Sequence, residues 1–259
     1  MYKIFGFYKF KKIKNIKLLK KNLKNFIEEE QVRGTIIISI EGINGTISFK
    51  PTKYKKVKNK ILNLLNIRKL DNENISYYKY QAFKKGKIKI KKEVVPIGMK
   101  LNKIVTTNKI EPKDWNKFIL KKETVLIDTR KSFEFKVGTF KGSINPELNN
   151  FRDFPQYFKT LKKNQNIGMF CTGGIRCEKA SAYLKKKGFK NVYQLKGGII
   201  NYLDNVKKKD SLWSGDCFVF DNRVSIKHGL KPGNLKICPG CRNCLLYTSD
   251  AADDWCCVD

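Results

Sequence analysis

Between residues 112 and 209, short apolar, β-branched runs alternate with stretches whose apolar residues recur at helical spacing. That alternation confines the segment to a parallel sheet with helices packed over it, because parallel neighbours need a crossover long enough to carry a helix. The spacing predicts a helix from Pro112, accepted in a first turn, through Trp115, Phe118 and Ile119. It predicts a buried strand over 124–127 ending at Asp128, a helix over 154–161 and a strand over 166–170. A helix over 177–187, a strand over 191–195 and a helix near 199–206, entered through Gly197-Gly198, complete the unit.

The first 95 residues carry a different order. A strand over 4–10 precedes a helix over 15–30, marked by Ile16, Leu19, Leu23, Phe26 and Ile27. Runs at 34–40 and 45–49 flank Glu41-Gly42-Ile43-Asn44 and predict a hairpin. Tyr54, Val57, Ile61, Leu64 and Leu65 mark a second helix, and 75–95 reads as extended. The order β-α-β-β-α-β is the ferredoxin-like arrangement. The chain thus divides into a ferredoxin-like, acylphosphatase-like α+β domain (1–95), a linker (96–111), an α/β parallel-sheet domain (112–209) and a loop-rich extension (210–244) with one strand at 217–220. Residues 245–259 hold four Asp and no Lys or Arg, unlike the rest, and read as a non-native tail.

The 55 Lys and Arg against 23 Asp and Glu give a formal charge of +32, which is compatible with a polyanion partner. The excess is spread, however, and 48 of the basic residues are Lys against 7 Arg, the mark of a compositional bias filling solvated faces. No apolar run reaches the roughly 18 residues of a membrane span, and Met1-Tyr2-Lys3-Ile4-Phe5 leads into a strand and not a signal peptide. The expectation is a soluble, cytoplasmic protein with no membrane partner and no secreted disulfide framework. With His228 the only histidine, a multi-histidine metal site is excluded.

The most informative segment is Met169-Phe170-Cys171-Thr172-Gly173-Gly174-Ile175-Arg176-Cys177-Glu178-Lys179. A strand runs into Cys171 and a helix starts near Arg176 or Cys177. The anion loop between them, Thr172, Gly173, Gly174 and Ile175, contains two glycines that can turn successive N–H groups inward. Those donors, the helix N-terminus and the Arg176 guanidinium all favour an anion at Cys171 and lower its pKa. The residues predict a nucleophilic thiolate, with the option of a persulfide. Cys177 is the second thiol of the loop, placed either to resolve an oxidised Cys171 as a disulfide or to pack at the helix start.

Cys-x4-Arg between strand and helix resembles the rhodanese active-site loop; related phosphatases space the pair one residue further apart. Asp128-Thr129-Arg130, Glu134, Gly138 and Gly142-Ser143-Ile144-Asn145-Pro146 resemble the rhodanese signature, with Asp128, Arg130 and Glu134 as a structural salt-bridge cluster. Lys131 departs from it, standing where the family usually has Asn. The match narrows with residues 171–182, Glu41-Gly42-Ile43-Asn44-Gly45-Thr46, Phe151-Arg152-Asp153-Phe154-Pro155, Gln194-Leu195-Lys196-Gly197-Gly198-Ile199 and Phe218-Val219-Phe220-Asp221-Asn222-Arg223. In this order they resemble the TrhO family of oxygen-dependent tRNA uridine hydroxylases, over roughly residues 2–243.

The resemblance implies hydroxylation of the wobble uridine of tRNA to 5-hydroxyuridine, with molecular oxygen as co-substrate, no evident organic cofactor, and Cys171, Arg176 and Cys177 as the catalytic set. It also implies tRNA as partner, while oligomeric state stays open. Cys238-Pro239-Gly240-Cys241 matches a family Cys pair, half of a tetrahedral zinc site. Glu41, Asn44 and Arg152 are candidates for RNA contact, Glu41 and Asn44 being equally at home in a tight hairpin. His228 reads as structural in preference to a base or ligand, and Trp213, Phe218 and Phe220 as core in preference to rings that stack on unstacked RNA bases. Two rivals remain: a rhodanese sulfurtransferase passing sulfane sulfur without touching tRNA, and a non-enzymatic RNA-binding module.

Overall fold

The computed structural model describes residues 1–98, 108–147 and 150–237, together with the backbone of 245–247. The N-terminal unit runs β1 (Tyr2–Phe10), α1 (Ile16–Glu29), β2 (Arg33–Ser39), β3 (Gly42–Phe49), α2 (Tyr54–Leu65), β4 (Asn72–Tyr78) and β5 (Gly86–Ile90). Its sheet has the order β4-β1-β3-β2-β5, antiparallel except where β5 adds parallel to β2. The first four strands give the ferredoxin-like order. Both helices cover one face, because Leu19, Leu23, Phe26 and Ile27 of α1 and Val57, Ile61 and Leu65 of α2 share a core with Phe5, Phe7, Ile36, Ile38, Ile43 and Ile47. Asn15 caps α1 by accepting the Leu18 N–H at 3.0 Å.

Strand periodicity sends alternate residues to the opposite face. Tyr8 of β1, Asn44 of β3 and Asn72 and Asn74 of β4 stand there, and it is this face that meets the second unit. The β2–β3 hairpin is tighter than expected. Its turn is only Ile40-Glu41, and Gly42 already belongs to β3. Gly42 takes φ +152, and a Cβ there would lie 2.1 Å from the Lys9 carbonyl oxygen, so only glycine lets β1 and β3 close at this point.

The second unit runs β6 (Asn108–Ile110), α3 (Pro112–Ile119), β7 (Thr124–Asp128), α4 (Ser132–Val137), β8 (Gly138–Phe140), α5 (Phe154–Tyr157), β9 (Asn166–Phe170), α6 (Ile175–Lys186), β10 (Val192–Leu195) and α7 (Gly198–Asn205). Strands β6, β10, β9 and β7 form a parallel sheet in that order. Three features differ from the sequence expectation. The segment read as a linker contributes β6 at its end, while Ile97 near its start and Val95 just before it are buried with Phe154 and Met169. Apolar side chains in a short connection found a core to enter. The helix over 154–161 is one α turn flanked by 3-10 turns, and the six-residue α4 was not foreseen.

Beyond α7, β11 (Trp213–Gly215) pairs with β8, and β12 (Cys217–Phe218) with β13 (Ser225–Ile226). Strand β14 (Leu235–Ile237) pairs with β15 (Leu245–Tyr247), so the segment set aside as non-native contributes backbone pairing at its start. Trp213 and Phe218 are buried as expected, but Phe220 is 70% exposed, which corrects its assignment to the core. Cys238 and Cys241 lie outside the described residues, as does most of 245–259.

Candidate active site

Strand β9 delivers Cys171 to a position 1% exposed, and α6 begins four residues later at Ile175. Gly174, at φ +91, precedes the helix and its N–H donates to Cys171 Sγ at 3.1 Å. The loop is held open from behind by α7. Ile199 and Ile200 N–H donate to the Cys171 and Thr172 carbonyls at 3.0 and 3.1 Å. Those carbonyls therefore point away from the sulfur and leave the N–H groups facing it. The approach is so close that a Cβ on Gly198 would sit 2.4 Å from the Cys171 carbonyl oxygen.

Burial disfavours ionisation of Cys171, yet it is outweighed. A hydrogen bond with Cys177, the positive charge of Arg176 and the backbone N–H groups of Cys177 and Arg176 bring the thiol down from its ordinary 9.0 to about 6. Cys177 moves the other way: burial, then the neighbouring Cys171, push it well above the usual thiol range. Thr129 Oγ1 lies 3.6 Å from the Cys177 sulfur. The two thiols are thus strongly unequal, Cys171 shifted toward the anion and Cys177 toward the protonated form. The N–H donors lie mainly at Gly174 and the start of α6; Thr172 contributes its side chain instead.

Arg176 is not free to face the sulfur alone. Its Nη1 and Nη2 donate to Glu134 Oε2 and Oε1 at 2.8 and 2.9 Å, and Nη2 reaches Thr172 Oγ1 at 3.4 Å. Glu134, fully buried, also accepts the Lys131 N–H at the start of α4. Burial opposes its charge, but Arg176 and then Arg130 hold its carboxyl below the ordinary range. Within the Asp128, Arg130 and Glu134 set the ion pairs divide in two. Asp128 and Arg130 form their own buried pair (Nη2–Oδ2 2.6 Å) tied to the Gly138 carbonyl, while Glu134 is the partner of Arg176.

The N-terminal sheet closes over the loop. Asn72 Nδ2 donates to the Gly173 carbonyl at 3.2 Å, and a Cβ on Gly173 would lie 3.3 Å from Asn74 Nδ2. Tyr8 Oη donates to Glu178 Oε1 at 2.9 Å, where Lys109 Nζ (2.6 Å) also binds, and Gln194 Nε2 donates to Oε2 at 3.0 Å. Burial, followed by the charge of Glu178, raises the Tyr8 hydroxyl pKa. Lys179, with no exposed side-chain surface, is neutralised by Glu41 at 2.7 Å and Glu93 at 2.6 Å.

The residues singled out from the sequence separate accordingly. Cys171, Thr172, Gly173, Gly174, Ile175, Arg176, Cys177 and Glu134 come together. Glu41, a candidate for RNA contact, spends its carboxylate on Lys179 and the Val94 N–H. Asn44 is half-buried between Tyr8 and Ile37 on the sheet face toward the site. Arg152 is exposed in a 3-10 turn at Phe151–Asp153. Tyr8, Asn72, Glu93, Glu178 and Lys179 were missed; the signal available was the Glu178-Lys179 pair one helical step from Cys177. His228 is half-buried, and burial followed by the charge of Lys208 lowers its pKa. Among the described residues no cluster of three or more His, Cys, Asp or Glu could hold a metal ion, and no helix is long and apolar enough to cross a membrane.

Comparison with known proteins agrees in both halves. Residues 2–94 match the UPF0176 acylphosphatase-like domain and residues 111–205 the rhodanese-like domain. A tRNA uridine(34) hydroxylase of Pelagibacter ubique is 58% identical over 243 residues, 93% of this chain and 81% of that protein. Proteins of the same description from Prochlorococcus marinus (43% identical, 93% of this chain and 81% of that one) and Teredinibacter turnerae (39%, 98% and 80%) are also similar. With a cysteine loop roofed by an acylphosphatase-like sheet and relatives this similar over most of their length, the chain belongs to the tRNA uridine(34) hydroxylase family.

Proposed function

We propose that this protein is a tRNA-modifying oxidoreductase that hydroxylates C5 of the wobble uridine, position 34, to give 5-hydroxyuridine with molecular oxygen as co-substrate. The observation that carries the reading is 58% identity to a tRNA uridine(34) hydroxylase over 81% of that relative. The rhodanese sulfurtransferase alternative would use Cys171 and Arg176 but leaves the acylphosphatase-like N-terminal domain, residues 2–94, without a task.

In this reading Cys171 is the nucleophile. Its thiolate is supplied at neutral pH by the Gly174 N–H, the start of α6 and Arg176. Arg176, anchored by Glu134, holds positive charge where negative charge develops on sulfur or on the uracil ring. Cys177, kept protonated, is placed to donate a proton or to resolve an oxidised Cys171 as a disulfide. Gly173, Gly174 and Ile175 shape the anion loop, and Asp128 and Arg130 brace the end of β7 behind it. Insertion of one oxygen atom of O2 at C5 sends the other to water and calls for two electrons from a reductant. Residues 1–95 and 112–209 act together on the RNA, with 96–111 as the linker between them and 210–244 as a Cys-containing extension. Cys238 and Cys241 are carried as half of a zinc site, testable by metal analysis of the purified protein. A cytoplasmic location follows from a tRNA substrate.

Mass spectrometry of tRNA nucleosides from a null strain complemented with wild type or Cys171→Ser decides the matter. Wild type restores 5-hydroxyuridine, labelled when the cells respire 18O2, and Cys171→Ser does not. Thiosulfate:cyanide sulfur transfer without any change in tRNA would replace this reading by the sulfurtransferase one.

A further inference from the structure

Phenylalanine side chains are ordinarily buried, and a Phe left in water beside a reactive site calls for a physical account. Phe220 is 70% exposed and Phe133 39% exposed, and both rest edge-on against the buried Phe218, at centroid distances of 5.0 and 5.1 Å and interplanar angles of 89° and 84°. Neither is on a loose segment. Phe133 precedes Glu134, the anchor of Arg176, on α4. Phe220 precedes a turn locked by the buried Asp221–Arg223 pair, whose guanidinium reaches Ser76 Oγ on β4 at 2.9 Å. Asn222 N–H bonds the Ala82 carbonyl at 2.9 Å, so the turn is tied to the N-terminal unit as well. Val224, a β-branched residue held at φ +63, adds a strained step that the fold sustains to keep this turn in place.

A path of contacts and neighbouring residues links these rings to the cysteine loop. From Asn74, which stands over Gly173, β4 leads to Ser76 and Arg223, then to Phe220, Phe218 and Phe133. From Phe133 the next residue is Glu134, which meets Thr172 Oγ1 at 3.5 Å and so returns to the loop. Two flat, apolar rings therefore stand in solvent, one on the residue before the carboxylate that anchors Arg176 and the other three residues before the guanidinium that reaches β4. A nucleic acid strand offers flat faces of matching kind when its bases are unstacked, and single-stranded RNA is held by such rings without any need for hydrogen bonding.

We propose that Phe220, supported by Phe218 and Phe133, is a positioning residue that stacks on a base flanking the target uridine and so presents that uridine to Cys171. This rests on the reading of the protein as a tRNA hydroxylase but concerns binding, and it can be decided separately. Phe220→Ala, Phe220→Leu and Phe220→Trp are made in the full chain, with thermal unfolding as the control for folding. The readouts are kcat and KM for 5-hydroxyuridine formation on unmodified tRNA and the Kd of a labelled anticodon stem-loop.

Loss of one base–aromatic stack raises KM and Kd by about 5- to 150-fold. Phe220→Ala and Phe220→Leu show that loss with kcat largely kept, and Phe220→Trp retains wild-type values. An abasic nucleotide at position 33 or 35 weakens wild type but adds nothing to Phe220→Ala. Unchanged KM in Phe220→Ala, full retention by Phe220→Leu, or abasic and Phe220→Ala effects that simply add overturn the proposal. The last two outcomes would make the patch a packing or protein-docking surface. If wild type forms no 5-hydroxyuridine the hydroxylase reading falls, and the stem-loop Kd contrast alone then decides the platform.

Discussion

Arg176 and Glu134, 42 residues apart in sequence, meet in a two-pronged ion pair beside the Cys171 sulfur. The pair fixes the guanidinium plane and makes the positive charge near sulfur depend on a buried carboxylate. Removing one member of a buried pair leaves the other charge uncompensated, at a cost of roughly 3–5 kcal/mol. Glu134→Gln is expected to lower the unfolding temperature by roughly 6–20 °C and to cut 5-hydroxyuridine formation at least tenfold. Calorimetry and nucleoside mass spectrometry check this, and a variant of wild-type stability and activity would show that Arg176 is held by other means.

The Cys171 thiol, brought down to about 6 against the ordinary 9.0, sets a pH dependence. Because the folded value is the lower one, the stabilisation is fully present above the unfolded thiol pKa and is lost as pH falls through about 6. Thiolate absorbance near 240 nm, taken as wild type minus Cys171→Ser, should rise with a midpoint near pH 6. In Arg176→Gln that midpoint should move upward, since a cation favouring the anion is gone. A midpoint that ignores the Arg176 change would rule the guanidinium out as a cause.

Lys179 is buried between Glu41 and Glu93, both from the N-terminal unit. Lys179→Met strands two carboxylates and should cost about 3 kcal/mol or more in denaturant unfolding. In a double-mutant cycle Glu41→Gln/Lys179→Met should be less destabilised than the sum of the single changes. Simple additivity would mean that the contact contributes no coupling.

Gly198 at φ +70 carries the α7 N-terminus against the back of the loop, where a Cβ would meet the Cys171 carbonyl oxygen at 2.4 Å. Gly198→Ala is expected to displace the loop and abolish most activity. Gly142→Ala is the control: its φ of +77 is similarly strained, but nothing lies within 4 Å of the added carbon, so about 1 kcal/mol of stability and no activity should be lost. Equal activity in the two variants would separate the loop position from catalysis.

Strand β9 was legible to the residue, because the four non-polar residues Ile167–Phe170, all buried, run without polar interruption between Asn166 and the cysteine loop. The ferredoxin-like order was legible because both helices show an apolar stripe and the runs at 34–40 and 45–49 are apolar and β-branched around a glycine-containing turn. What escaped was long-range pairing. Nothing local marks Glu134 as the partner of Arg176 instead of Arg130. Charge at Glu178 and Lys179 reads as a solvated helix face, since Glu and Lys are seldom fully buried; only a second domain supplying Tyr8, Glu41 and Glu93 makes their burial tolerable. Phe220 misled in the opposite sense, its apolar character predicting a core that it stands outside.

The adjacent Glu178 and Lys179 of α6 carry a consequence for how such chains can be recombined. A chimera joined between residues 96 and 111 would import a catalytic helix whose buried ammonium has no acidic partners and whose buried carboxylate has no tyrosine. The two halves therefore fit only as a matched pair. A gene duplication or fusion that brought a foreign N-terminal half would have to rewrite α6 before the cysteine could work again.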